Sequence, residues 1–395
     1  MDRKVMILGA GVYQEPLIKK SNERGYQTIV VSPMGDYPGI KFADIYLDIN
    51  TTDKDSILDA AKYHQIDAIL TTGTDVAVPS IGYVVDCMGL KGPSYQSALK
   101  SMDKSLMKKA FQAGGVPTAK FDISTSLANA ERLADVIGFP LMVKASDSSG
   151  SRGVHKVESK EEFYKSWQAA FEVSRNKKVV IEEFLDGVEF GAQAIVARGQ
   201  VIDVVFHNDT VTPAPNNAPI GHSVPCSLPK SALDEAETVV KRAIEVLEID
   251  DTVSNVDLML VNNKPYIIEI GARMGATCLP ENVEYYLGID IYGLLLDIAL
   301  GNDLNYEPAE SLVANAARLL CAKSSGELLS IEIPNSVKEN QSLIRLKLDK
   351  KTGDQVSEFK VGPDRIGEIL VRGETYIDAE RLAEEIANQI AVNIK

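Results

Sequence analysis

Asn255-Val-Asp-Leu-Met-Leu-Val261 and Pro265-Tyr-Ile-Ile-Glu-Ile270 are two apolar segments that enclose the polar tripeptide Asn262-Asn-Lys264. The pattern predicts a β-hairpin, because asparagine accepts the positive φ that a short turn requires. With a turn of three residues, Val261 pairs with Pro265 and the strands run back along each other. No other segment of the chain gives so strong a local signal.

The hairpin would set two carboxylates, Asp257 and Glu269, directly opposite each other. Side chains alternate across a sheet, so this register places both acids on one face, where like charges repel. A hard cation removes the repulsion, and Mg²⁺ binds one or two carboxylates together with substrate phosphates. The hairpin therefore predicts a magnesium site with ATP as co-ligand. The alternative is a solvated face on which the repulsion is screened.

Short apolar runs alternate with helical patterns over the first 93 residues. This alternation is typical of a doubly wound parallel sheet covered by helices, so we expect an N-terminal α/β domain over residues 1–93. Gly9 and Gly11 invite comparison with a dinucleotide-binding loop. The third glycine of that motif would fall at Gln14, so a tight turn is preferred to a nicotinamide site.

The remainder of the chain mixes strands and helices without that alternation, as in an α+β arrangement. We expect a central domain over residues 103–305, within which residues 118–185 form a lid subdomain. A small β-containing domain would follow over residues 306–395 and end in an amphipathic helix over 377–394. The predicted fold class is therefore α/β and α+β in three domains.

Composition narrows the classes of partner. The chain has 41 basic and 56 acidic residues and a net charge of −15, which argues against nucleic acid and anionic membranes. Its four cysteines are far apart, which favours a reducing cytoplasm. The longest helical apolar stretch, residues 291–300, is shorter than a membrane span. Oligomeric state stays open, and a homodimer is one of the allowed states.

A loop of small residues joins two predicted strands at Lys144-Ala-Ser-Asp-Ser-Ser-Gly-Ser-Arg-Gly153. Small residues let backbone N–H groups converge on an anion, and Lys144 and Arg152 supply positive charge. No G-x-x-x-x-G-K-[ST] motif occurs in the chain, so this is not a Walker A loop. The loop indicates a phosphate site, although a flexible surface hairpin explains this segment alone equally well.

Downstream, the apolar strand that begins at Val179 runs into Glu182, Glu183 and Glu189. We expect the strand-end backbone to meet the edge of adenine and Glu189 to accept hydrogen bonds from the ribose hydroxyls, with a solvated strand end as the alternative. Arg273 follows the hairpin closely enough to reach a phosphoryl group in transfer.

The order and spacing of these motifs resemble those of the ATP-grasp superfamily over roughly residues 1–305, and residues 364–373 resemble its C-terminal portion. The chain looks similar to amino-acid ligases and to proteins like carbamoyl-phosphate synthase and phosphoribosylglycinamide synthetase. The resemblance implies an ATP-grasp central domain that uses ATP and Mg²⁺, with Mn²⁺ as an allowed substitute.

The resemblance also assigns roles to individual residues. Cationic residues at the phosphates would be Lys104, Lys144 and Arg273, the last two with a part in catalysis. The lid loop would comprise Ser148, Ser149, Gly150, Ser151, Arg152 and Gly153. Adenine would meet Glu182, Glu183, Phe184 and Leu185, ribose would meet Glu189, and magnesium would meet Asp257 and Glu269. Substrate contacts are expected at His222, Gly271 and Gly275.

Members of the superfamily join a carboxylate to an amine through an acyl phosphate and release ADP, so we expect an ATP-dependent carboxylate–amine ligase. The alternatives are a carboxylase that phosphorylates bicarbonate and a nucleotide-binding module without catalysis. Two departures stand out. Gly271 replaces an asparagine that many members carry two residues after the second metal carboxylate, and Asp257 replaces a glutamate.

Overall fold

The computed structural model describes residues 3–150, 152–212 and 218–395. The α-helices are α1 (Glu15–Glu23), α2 (Lys54–His64), α3 (Val78–Met88), α4 (Tyr95–Met102), α5 (Lys104–Gly114), α6 (Leu127–Ile137), α7 (Lys160–Val173), α8 (Lys230–Leu247), α9 (Leu279–Leu287), α10 (Ile291–Leu300), α11 (Asn335–Lys338) and α12 (Tyr376–Gln389). The strands are β1 (Lys4–Leu8), β2 (Gln27–Ser32), β3 (Ile45–Asp48), β4 (Ala68–Leu70), β5 (Phe121–Ser124), β6 (Leu141–Ala145), β7 (Val154–Val157), β8 (Val179–Glu183), β9 (Val188–Ala197), β10 (Gln200–Val211), β11 (Pro219–Val224), β12 (Thr252–Val261), β13 (Lys264–Gly271), β14 (Asn315–Leu320), β15 (Gly326–Glu332), β16 (Leu343–Leu348), β17 (Gln355–Val356), β18 (Gly367–Arg372) and β19 (Ala391–Ile394).

The predicted parallel sheet at the N-terminus is confirmed. Its strand order is β3-β2-β1-β4, with parallel pairing throughout. The apolar runs that suggested these strands are buried against α2 and α3, as the alternation requires. After β4 the chain runs through residues 71–77 before α3 begins, and this short segment reaches toward the rest of the molecule.

A second, four-stranded sheet has the order β5-β8-β6-β7. Apolar side chains of α6 and α7 pack on it and form a separate core that includes Phe163 and Trp167. The sheet lies inside the range expected for the lid, although its movement stays a prediction. The small-residue loop connects β6 to β7, so it projects from one end of this sheet.

The largest sheet has the order β13-β12-β9-β10-β11-β14-β18-β16. It combines strands from residues 188–271 with strands from residues 315–372, so hydrogen bonding continues across the predicted boundary at residue 306. On one face, Val256, Leu258 and Leu260 point into a core shared with α5 and α8. The alternate residues of β12, among them Asp257, are left on the other face.

The C-terminal segment contains a three-stranded sheet, β17-β15-β19, and α12. The helix expected over residues 377–394 is too long in the prediction. It ends at Gln389, and Ala391–Ile394 form β19, which pairs with β15. The apolar spacing of the last residues fits both a helix and a strand, because four residues are too few for periodicity to distinguish the two. No helix among the described residues is long and apolar enough to cross a membrane.

The hairpin of β12 and β13 forms as predicted but with a different turn. Val261 pairs with Lys264, so the turn has two residues, Asn262 and Asn263, with φ of 49° and 61°. The expected pairing of Val261 with Pro265 is therefore wrong by one residue. A β-bulge between Asp257 and Leu258 then shifts the pairing by one residue, which restores the predicted pairing of Asp257 with Glu269.

Because both turn residues have positive φ, the turn should discriminate sharply among substitutions. We expect Asn263→Val to lower the free energy of unfolding by roughly 1–2 kcal/mol, because a β-branched residue is strained in this conformation. Asn263→Gly is the matched control and should be tolerated. Urea denaturation of the two variants tests this, and equal stability would contradict the assigned turn.

Candidate active site

The two acids of the hairpin meet as the sequence predicted, with Asp257 directly paired to Glu269. Burial, together with the charge of Glu269, raises the pKa of Asp257 to about 7. A carboxyl group held in this way resists ionisation until a cation offsets its charge. The pair therefore fits a divalent cation, and oxygen ligands of this kind suit Mg²⁺ or Mn²⁺.

A hydrogen-bonded chain behind the pair orients Asp257. Asn255 donates through Nδ2 to Asp257 Oδ1 at 2.9 Å, and Gln193 donates through Nε2 to Asn255 Oδ1 at 2.7 Å. Gln193 in turn accepts from the backbone N–H of Gly275 at 2.8 Å. An added Cβ at Gly275 would lie 2.9 Å from both the Asn255 and the Gln193 side chains. Gly275, which was expected to contact substrate, thus also packs against the two side chains that orient Asp257.

Lys104 lies beside the second acid. Its Nζ is 2.9 Å from Glu269 Oε1 and donates to the Ser148 carbonyl at 2.7 Å. Burial opposes the charge of this ammonium, yet the carboxylates of Glu269, Asp75 and Asp257 raise its pKa. Lys104 therefore stays charged at physiological pH and connects the hairpin to the loop after β6.

Lys144 is held by a buried carboxylate. Glu182 is 2% exposed and contacts both Lys144 Nζ and, at 2.6 Å, Lys108 Nζ. Burial would raise the pKa of Glu182, but the two ammonium groups lower it to about 2. Because the Glu182 side chain is occupied in this way, a contact with adenine would come from its backbone.

The small-residue loop reaches the cleft beside the hairpin. Ser149, Gly150 and Arg152 line the cleft, whereas Ser148 is buried, and Ser151 lies outside the described residues. Arg152 donates through Nε to the Ser149 carbonyl at 3.1 Å. Gly153 has a φ of 69° and packs closely on Ala145, which closes the base of the loop.

The expected adenine segment leaves the four-stranded sheet at the end opposite this loop, because β6 and β8 are antiparallel and Glu183 pairs with Leu141. The Glu183 backbone N–H donates to the Lys120 carbonyl at 2.9 Å, and the Lys120 N–H donates to the side-chain oxygen Glu183 Oε1 at 2.9 Å. Phe184 lies under the ammonium of Lys156, 4.1 Å from the ring centroid. Leu185 is half-buried. Glu189 lines the cleft, where desolvation and the nearby Asp209 raise its pKa.

Arg273 forms a fork with Asp75, a residue that the sequence did not single out. Arg273 Nε lies 2.7 Å from Asp75 Oδ1, and Nη2 donates to Oδ2 at 2.9 Å. Despite burial, the charges of Asp75, Asp257 and Glu269 raise the pKa of Arg273. Asp75 belongs to the segment after β4, so no local pattern could connect it with an arginine almost 200 residues away.

His222 belongs to a cluster that spacing also failed to reveal. His222 Nδ1 and His207 Nδ1 lie 2.6 and 2.9 Å from the same oxygen, Asp209 Oδ1. Although burial opposes it, the two imidazoles hold the pKa of Asp209 well below its usual range. An ionised carboxylate only accepts, so in neutral His222 Nδ1 carries the hydrogen and Nε2 keeps its lone pair, and burial favours this neutral form by lowering the pKa of His222. The cluster can thus accept a proton or bind an ammonium group.

The cleft gathers all three parts of the chain. Its lining includes Tyr13 and Asp75 from the N-terminal part, Glu189, His222, Asp257 and Glu269 from the large sheet, and Lys347 and Arg365 from the C-terminal part. Gly271 lies at its floor beside Asp75 and Arg273. The sequence-predicted metal, phosphate and substrate candidates are therefore brought to one cavity or its immediate walls.

Comparisons with known proteins agree with this arrangement. The phosphoribosylglycinamide synthetase ATP-grasp (A) domain matches residues 102–278, and the L-amino acid ligase C-terminal domain 2 matches residues 318–395. Together with the fold and the site, the first match defines the class of the central part of the chain: residues 102–278 form an ATP-grasp domain.

The chain is similar to several individual proteins. A crystal structure of phosphoribosylglycinamide synthetase from Anaerococcus prevotii superposes over 100% of both chains, with a TM-score of 0.85 and 28% identity. L-amino acid ligase from Bacillus licheniformis also covers 100% of both chains with a TM-score of 0.85, at 20% identity. Alanine--anticapsin ligase of Bacillus subtilis is 26% identical over 62% of this chain, a match that spans only 56% of that relative's length.

The raised pKa of Asp257 predicts how stability depends on pH. The folded state keeps this proton up to about pH 7, whereas an unfolded aspartate loses it near ~3.9, so the metal-free protein loses stability between these values as the pH rises. Asp257→Asn removes the effect. The metal-free variant should therefore melt above the wild type at pH 8, by a margin that shrinks at pH 5.

Thermal melts in EDTA test this, with Asp36→Asn at an exposed position of the same cleft as the control. Mg²⁺ with ADP should raise the melting temperature of the wild type more than that of Asp257→Asn. A variant that is less stable than the wild type at pH 8 would contradict the account of the pair.

Proposed function

We propose that the protein is an ATP- and magnesium-dependent ligase that joins a carboxylate to an amine through an acyl phosphate and releases ADP and phosphate. The observation that carries the proposal is the pairing of Asp257 with Glu269 in one cleft, flanked by the cations Lys104 and Arg273. This arrangement suits phosphoryl transfer, in which the protein's main tasks are positioning and charge compensation.

In the first step, an oxygen of the substrate carboxylate attacks the γ-phosphorus of ATP, and ADP leaves with the electrons of the broken P–O bond. Magnesium held by Asp257 and Glu269 would supply charge compensation on the phosphates. Arg273, Lys104 and Lys144 would contact phosphate oxygens, with Lys144 held in place by Glu182. These contacts place cations where negative charge moves during transfer.

In the second step, the amine nitrogen attacks the acyl carbon and the C–N bond forms. Phosphate departs with the electrons of the broken C–O bond and takes up the proton that the nitrogen loses as the amide forms. The ammonium form of the substrate must lose a proton before attack. The lone pair at His222 Nε2, kept free because Nδ1 donates to Asp209, would accept it. Water must be excluded while the acyl phosphate exists, which is the role proposed for the loop of residues 148–153.

Around the nucleotide, we assign the backbone of residues 182–185 to adenine and Glu189 to the ribose hydroxyls. The exposed position of Glu189 in the cleft supports that role. Gly271 and Gly275 keep the floor of the cleft open near the reacting groups. Amino acids are the first substrates to try, since the C-terminal segment matches a domain of L-amino acid ligases. A cytoplasmic location and a homodimer remain part of the proposal.

The proposal is tested by incubating the protein with Mg·ATP and pools of amino acids and small carboxylic acids. ADP and phosphate should form in equal amounts, and only when both an acid and an amine are present, with the amide detected by mass spectrometry. AMP with pyrophosphate would overturn the proposal. ADP release that needs only bicarbonate would favour the carboxylase, and nucleotide binding without turnover would favour a non-catalytic module.

Arg273→Lys should lower kcat on the order of 100-fold, because lysine cannot keep the two-pronged contact with Asp75 while it reaches a phosphoryl oxygen. Arg372→Lys, at the exposed end of β18, is the matched control and should leave kcat unchanged. Steady-state kinetics with the first substrate pair found makes the comparison. An unchanged kcat in Arg273→Lys would remove this arginine from the phosphoryl site.

A further inference from the structure

The carboxylate of Asp75 occupies the space beside Gly271. A Cβ built on Gly271 would lie 2.9 Å from Asp75 Oδ1 and 3.4 Å from the Arg273 guanidinium carbon. A larger residue at 271, such as the asparagine of many ATP-grasp proteins, would compete with Asp75 for this position. Glycine at 271 and aspartate at 75 therefore form a matched pair in this chain.

The segment that carries Asp75 is fixed to the large sheet at the same point. Thr72 and Met274 form a parallel bridge, and Gly73 donates its N–H to the Met274 carbonyl at 3.0 Å. Gln14 donates through its side chain to the Thr72 carbonyl. Asp75 is thus delivered by a tethered backbone, and its side chain is only 21% exposed.

Arg273 is held both by the segment that carries Asp75 and by the large sheet. Its guanidinium makes the fork with Asp75, and its carbonyl accepts the N–H of Asn255, which also orients Asp257. A planar guanidinium in a two-pronged contact has little rotational freedom left, so its remaining N–H groups point in a defined direction. An arginine without such a partner would sample several rotamers and pay entropy on contact with a phosphate.

We propose that Asp75 is a positioning residue for phosphoryl transfer, which fixes Arg273 toward the transferring group and depends on glycine at 271 for its place. The inference rests on the proposed function for its kinetic consequence only. The hairpin alone is therefore not sufficient for the phosphoryl site, which is complete only when the segment after β4 is docked on Met274.

The pair of positions allows a double-mutant cycle. Asp75→Asn keeps the shape but loses the charge-assisted fork, and Gly271→Ala displaces the carboxylate. The displaced atoms are the end of a short side chain, and Gly271 has no positive φ, so Gly271→Ala should fold normally. Each variant should lower kcat by roughly 10- to 100-fold with little change in the KM for ATP, because misplacement affects transfer more than binding.

The combination of Asp75→Asn with Gly271→Ala should lose no more than the worse single variant, since both act through Arg273. Asp59→Ala, at an exposed position of α2 outside the cleft, should leave kcat unchanged. If the loss of kcat in the double variant equals the product of the two single losses, or if each loss is matched by a lower melting temperature, the role is merely structural and the inference is overturned.

A readout that needs no turnover separates this inference from the proposed function. An arginine-specific dicarbonyl reagent, followed by peptide mass spectrometry, measures how readily Arg273 is modified without nucleotide. In Asp75→Asn and in Gly271→Ala, Arg273 should be modified faster than in the wild type and than in Asp59→Ala. Equal rates would overturn the inference, whether or not a ligase activity is found. A wild type without turnover, but with faster labelling in both variants, would leave the positioning intact and remove only the proposed reaction.

Discussion

The repulsion between two carboxylates on adjacent strands is the constraint around which this site is arranged. Asp257 and Glu269 face each other on β12 and β13, and the burial that makes the hairpin stable also makes the charge of Asp257 costly. The other face of β12 packs into the core with α5 and α8, so the strand cannot rotate to relieve the conflict. The cost is therefore retained in the folded protein and is available to bind a cation with its phosphates.

Charge compensation comes from segments far apart in the chain. Lys104 at the start of α5 meets Glu269, and Arg273 beyond the hairpin is held by Asp75 from the N-terminal part. Three acids and two cations thus lie around one end of the large sheet. Because these groups come from the segment after β4, the start of α5 and the hairpin with the residues just after it, the site is assembled only when these three segments are packed together.

The sequence predicted the parts of this site that local pattern controls. Alternating apolar residues located the hairpin, and the opposition of Asp257 and Glu269 was correct. The turn behind that prediction was wrong, however. The turn has two residues instead of three, which shifts the pairing by one residue, and a bulge in β13 shifts it back by one. Periodicity does not reveal bulges, so the agreement depended on two compensating departures.

Long-range contacts lay beyond the reach of the sequence. Asp75, Lys108, Asp209 and His207 matter through partners that the fold brings near, and nothing in their neighbours distinguishes them from ordinary polar residues. Gly271 was noticed as a departure from a superfamily pattern, but its reason, the carboxylate of Asp75, became visible only in three dimensions. Likewise the eight-stranded sheet combines strands from both sides of residue 306, a pairing that tertiary packing sets and local pattern does not show.

The most direct test of the account follows the oxygen atoms of the substrate carboxylate. With an ¹⁸O-labelled acid, Mg·ATP and the amine partner, an acyl phosphate requires one labelled oxygen to appear in the inorganic phosphate, while ADP stays unlabelled. Mass spectrometry of the released phosphate measures this transfer. One ¹⁸O per phosphate, formed together with the amide, is the predicted result. Unlabelled phosphate, or label recovered in AMP, would contradict the account.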